Sequence, residues 1–110
     1  MNGMDLFRLD GKVAALTGGG GVLASAIAEG MGSAGARIAV CDLVGEKAER
    51  TAADLRGKGI EARGYAMDAL DRASLEAGCG AICRDFGGVD ILVNAAGGNL
   101  PEASTNAVPT

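Results

Sequence analysis

Thr17-Gly18-Gly19-Gly20-Gly21-Val22-Leu23-Ala24 sets four successive glycines between an apolar run and a helical pattern. A strand that turns sharply into a helix needs backbone positions with φ > 0, and an anion can approach such a backbone only where no Cβ stands in the way. The N–H groups of the following helix's first turn have no partner within the helix and face that anion. Read from Gly18, the spacing is Gly18-x-x-Gly21-x-x-Ala24, whose last position requires only a small residue for close helix–strand packing. A flexible glycine tract would contain the same residues, so the flanking sequence decides.

Upstream, residues 12–17 form a nearly continuous apolar run after the Asp10-Gly11 turn signal, as expected of a strand covered on both faces. Downstream, Leu23, Ile27, Met31 and Ala34 recur at helical spacing beside Ala24 and Ala28, and Gly35 is placed to end that helix. Residues 36–41 make a second apolar run closing on Asp42. A charged helix over 44–56 follows, with Ala48, Thr51, Ala52 and Leu55 on its apolar side. Residues 60–67 read as a third strand ending at Asp68. Asp71 reads as the N-cap of a helix through Phe86, with Leu75, Cys79, Ile82, Cys83 and Phe86 as its stripe. Gly87-Gly88 breaks that helix, and 89–93 is a fourth, β-branched run before Asn94-Ala95-Ala96-Gly97. The segment 98–110 holds both prolines and reads as an irregular tail.

Bulk properties narrow the class. The 110 residues suit one domain, and 48% hydrophobic with 22% charged residues indicates a globular chain. A net charge of −4 removes the attraction on which non-specific binding to nucleic acid or anionic membrane depends. No run approaches the ~20 apolar residues of a membrane span, and residues 1–12 lack the apolar core of a signal peptide, so a cytoplasmic protein is expected. Three cysteines do not suggest a disulfide framework, and all three are read as buried thiols. The absence of His argues against zinc.

Strands alternating with helices over short loops give a parallel sheet with helices on both faces. With the first strand central and the fourth crossing to its other side, the order is 3-2-1-4, a Rossmann-like doubly wound α/β fold. The dinucleotide crevice then opens at the strands' carboxyl ends. Asp42 lies at the end of the second strand, 24 positions after Gly18, where a carboxylate accepts hydrogen bonds from the adenosine ribose hydroxyls. The same carboxylate repels a 2′-phosphate and no Arg follows directly, so NAD is favoured over NADP.

These residues resemble the short-chain dehydrogenase/reductases. The stretch 6–14 resembles the family's entry into its first strand, and Thr17-Gly18 begins its cofactor turn. Asp42 matches its NAD-selecting acid, and Met67-Asp68 resembles the site where an Asp contacts the adenine amino group. Asp90-Ile91-Leu92-Val93-Asn94-Ala95-Ala96-Gly97 is similar to its Asn-Asn-Ala-Gly motif with Ala in the second place. The resemblance implies that Asn94 steadies the sheet while Ala95, Ala96 and Gly97 let the chain pass close to the cofactor. It carries Gly18, Gly21, Leu23 and Asp68 over as further cofactor contacts. The pairing of this glycine turn with Asn94–Gly97 looks similar to sugar-acid oxidoreductases of the mannonate or fructuronate type.

Two departures bear on function. Val22 and Ala24 occupy positions where the short-chain turn carries glycines, and the spacing through Gly21 resembles the family's extended, sugar-nucleotide branch. The family's chemistry also uses a Tyr, a Lys four residues later and an upstream Ser. Tyr65 is the only Tyr, and Ala69 stands where that Lys would be. The expectation is therefore the N-terminal, cofactor-binding part of an NAD-dependent oxidoreductase, cut after the fourth strand and inactive by itself. The whole enzyme would move hydride between nicotinamide and an alcohol or ketone, sugar acids among them, as a homo-oligomer. A non-catalytic NAD-binding module and an extended-branch epimerase or dehydratase are the alternatives.

Overall fold

In a computed structural model, which describes residues 8–18 and 20–95, the four apolar runs become strands and the periodic segments become helices. β1 is Val13–Thr17, α1 Val22–Ser33, β2 Arg37–Asp42, α2 Gly45–Gly57, β3 Ala62–Ala66, α3 Arg72–Phe86 and β4 Ile91–Asn94. All strand pairs are parallel and the sheet order is β3-β2-β1-β4, the doubly wound order expected from the sequence. Every residue of β1 is buried, as continuous hydrophobicity predicts for a central strand.

Alternation along the strands builds two cores. On one face Ala14, Leu16, Ile38 and Val40 meet Ala24 and Ala28 of α1 and Ala48, Ala52 and Leu55 of α2. On the other, Val13, Ala15, Ala39, Cys41 and Met67 meet Ile82 and Phe86 of α3. The α2 side read from the sequence (Ala48, Thr51, Ala52, Leu55) is the buried one. Asp71 caps α3, its carboxylate accepting the Ala73 N–H at 3.0 Å, and Gly87 closes the helix at φ +89 with its N–H on the Cys83 carbonyl.

Two expectations about burial fail. Cys41 is fully buried, but Cys79 and Cys83 are exposed. α3 rests on the sheet along Gly78, Ile82 and Phe86, which follow one another at four-residue spacing, and the Met67 methyl occupies the space a Cβ on Gly78 would need. A glycine adds nothing to an apolar pattern, so the contact line was displaced onto the thiols, one residue further round the helix. Leu23 likewise is 68% exposed. α1 approaches the sheet through its alanines, with Ile27 and Met31 packed beside them, and Leu23 stands at the helix start outside that contact.

At the amino ends of the strands, Arg37 joins three segments. Its guanidinium donates to the Phe86 carbonyl and to Glu61, and lies 4.9 Å from the centre of the Phe86 ring. Among the described residues no helix is long and apolar enough to cross a membrane. Ala96, Gly97 and the tail expected over 98–110 lie outside the described residues.

Candidate functional site

The carboxyl ends of β1, β2 and β4 bring the glycine turn, Asp42 and Asn94 to one edge of the sheet. β1 runs into the turn through Gly18, whose φ of +70 is the left-handed conformation that glycine adopts without strain. Gly21 is the N-cap of α1 and has an ordinary extended conformation. It supplies no side chain to cap the helix, so the N–H groups of the first turn keep their capacity for an external acceptor. Ala24 is 3% exposed, consistent with its role as the small residue that lets α1 close on the sheet.

Asp42 is bound to the turn itself. Its Oδ2 accepts the Gly20 N–H at 2.9 Å, and its Oδ1 accepts the Val44 N–H at 2.9 Å. Two backbone donors on different segments therefore orient the carboxylate, each oxygen keeping further lone pairs for a ligand. Gly20 was not among the residues singled out by spacing. Its place inside the glycine run was the only sequence signal.

The fourth strand is registered by polar groups at both of its ends. Asp90 accepts the Val13 N–H on Oδ2 at 2.9 Å and returns its own N–H to the Val13 carbonyl. At the other end the Thr17 hydroxyl donates to Asn94 Oδ1 at 2.9 Å, and the Ala95 N–H donates to the Thr17 carbonyl. Asn94 thus bridges β4 to β1 directly beside the glycine turn.

A family model described as short chain dehydrogenase matches residues 12–109. The chain belongs to the short-chain dehydrogenase family. D-threitol dehydrogenase of Mycolicibacterium smegmatis is 50% identical over 91 residues, covering 83% of this chain and 35% of that protein. A Haemophilus influenza protein assigned as a D-mannonate oxidoreductase, solved with NAD bound, superposes with a TM-score of 0.82 at 36% identity, covering 93% of this chain and 36% of that one. An NAD+-bound xylitol dehydrogenase gives a TM-score of 0.74 at 35% identity over 77% of this chain and 33% of its own. The chain spans about a third of the length of these relatives.

Within this short-chain dehydrogenase chain, the remaining candidates fall in two places. Asp68 follows β3 and Oδ1 accepts the Leu70 N–H at 3.0 Å, while its own N–H donates to the Ser74 hydroxyl, so it shapes the entry to α3. Leu23 lies exposed beside the glycine turn at the start of α1. Tyr65 is a β3 residue whose hydroxyl donates to Asp85 of α3 at 2.6 Å. Burial first, then that bond to Asp85, pushes the phenol well above its usual range, which leaves it a poor proton donor or acceptor near neutrality. Among the described residues no cluster of His, Cys, Asp and Glu is suited to a metal ion.

Proposed function

We propose that this chain is the cofactor-binding part of an NAD-dependent oxidoreductase acting on a small alcohol or ketone of the polyol and sugar-acid class. The observation that carries the reading is the hydrogen bond from the Gly20 N–H to Asp42, which places an oriented carboxylate against a glycine turn at the strands' carboxyl edge. Residues 1–110 form a single dinucleotide-binding domain on this reading, in a cytoplasmic, homo-oligomeric enzyme. The names of the threitol, mannonate and xylitol relatives support the substrate class.

The residues present fit a dinucleotide. Gly18 and Gly20 leave the turn without side chains, and the uncapped first turn of α1 offers N–H donors to a pyrophosphate. Asp42 would accept the adenosine ribose hydroxyls and repel a 2′-phosphate, favouring NAD over NADP. Asp68 would meet the adenine end. Gly21, Leu23, Asn94, Ala95, Ala96 and Gly97 would line the course of the cofactor. When bound, nicotinamide supplies hydride transfer to or from a carbinol carbon. This chain's residues bind and orient it. Tyr65, committed to Asp85, takes no part, and general acid–base assistance worth ~10²–10⁴-fold comes from residues outside the 110.

Titration of the chain with NADH and with NADPH, repeated on Asp42→Ala, tests the reading. Tighter NADH binding that weakens in the variant is expected. A folded chain that binds neither coenzyme would overturn it.

A further inference from the structure

Three segments converge on position 20. A Cβ placed on Gly20 would stand 2.6 Å from the Cβ of Lys47 and 2.8 Å from Oδ2 of Asp42. Lys47 Cβ is no flexible chain end, because it is fixed to the first turn of α2. Withdrawing that helix is costly, since Ala48 and Ala52 are wholly buried in the core beneath it. The turn at Gly20 is then the part that must shift, and its N–H moves with it away from the Asp42 carboxylate. Gly21 differs, because a Cβ there would meet only the Gly18 carbonyl oxygen at an ordinary 3.6 Å.

We propose that Gly20 is a positioning residue for coenzyme selection: its bare Cα and its N–H seat the Asp42 carboxylate in the orientation that receives a ribose diol and rejects a 2′-phosphate. Discrimination then belongs to the Gly20–Asp42 pair and not to the negative charge alone. The inference rests on the dinucleotide reading above. With one oxygen held by Gly20 and the other by Val44, the carboxylate is ordered before the coenzyme arrives, which lowers the ordering cost of binding. Any side chain at position 20 removes one of those anchors.

The test combines amide hydrogen exchange on the coenzyme-free chain with NADH and NADPH titrations of wild type, Gly20→Ala, Asp42→Ala and the double variant. The amide at position 20 is expected to be protected in wild type and to exchange faster in both single variants. Loss of a charge-assisted contact predicts NADH affinity lower by about tenfold or more in Gly20→Ala, with NADPH changed less. In the Asp42→Ala background the second substitution should cost little more, since its effect acts through the carboxylate. Equal cost in both backgrounds would mean that the added methyl obstructs the coenzyme directly or displaces the turn against Lys47 without the carboxylate's involvement, overturning the proposal while leaving the dinucleotide reading intact. Wild type binding neither coenzyme would instead remove that reading, and the proposal with it. Asp42→Glu guards against misfolding of Gly20→Ala, because it keeps the charge and loses the seat. A narrowed preference supports the proposal, and an undiminished one shows that charge alone selects.

Discussion

The Thr17 hydroxyl donates a 2.9 Å hydrogen bond to the Asn94 side-chain carbonyl, joining the last residue of β1 to the last residue of β4. Thr17 is 7% exposed, so its hydroxyl has little water to fall back on. Thr17→Val is expected to lower stability by about 1 kcal/mol, as for a typical intramolecular hydrogen bond. Asn94→Ala should cost a similar amount, and the double variant little more than either. Urea unfolding of the four proteins measures this coupling. Strictly additive losses would mean that the bond contributes nothing.

Gly64 and Gly57 should respond oppositely to Ala. A Cβ on Gly64 would lie 2.7 Å from the backbone nitrogen of Glu49 and 2.8 Å from the Ala48 carbonyl carbon, so α2 would have to lift from β3. Overpacking of this type costs about 1–3 kcal/mol. Gly57, in the last turn of α2, has nothing within 4 Å of its Cβ position and a non-positive φ. Gly57→Ala is expected to stabilise by up to about 1 kcal/mol through helix propensity and a less disordered unfolded chain. Melting temperatures moving in the same direction for both would contradict the packing described.

Much of this architecture was legible because it follows from local pattern. The buried side of α2 could be read residue by residue, and the strand order followed from alternation and handedness. Asp42 was legible because distance along the chain places it at the strand's end. Its partner was not, since whether Gly20, Gly18 or Gly21 touches the carboxylate depends on how α2's first turn lies against the glycine run, a through-space relation. The thiols were misread for a similar reason. Apolar periodicity has no term for a glycine that wins the contact, as Gly78 does against Met67.

The three cysteines should separate chemically. Cys79 and Cys83 are exposed and are expected to react rapidly with a thiol reagent such as Ellman's, whereas Cys41 should react only on unfolding. Burial, with a smaller contribution from Cys79, pushes the Cys41 thiol from 9.0 up to about 12. The sign follows from proton linkage. In the unfolded chain this thiol ionises near its ordinary value, so folding holds the proton over an alkaline window. The stability it contributes is complete below the unfolded value and is lost as pH rises through the folded one. Cys41→Ala should flatten that alkaline decline in unfolding free energy, and an unchanged slope would assign the decline to other groups.

The double tie between β1 and β4, Asp90 to Val13 at one end and Thr17 to Asn94 at the other, spans 77 residues of chain. The β1–β2 register, by contrast, joins residues such as Val13 and Arg37, only 24 apart. Closing the longer loop costs roughly 1 kcal/mol more in chain entropy. We therefore expect β4 to dock late in folding, so that Asp90→Ala and Asn94→Ala mainly hasten unfolding while substitutions at the β1–β2 contact slow refolding. Stopped-flow chevrons distinguish the two. The crevice in which a coenzyme would lie is then the last part of the sheet to assemble and the first to come apart, so a bound dinucleotide would act as a kinetic latch on the fold.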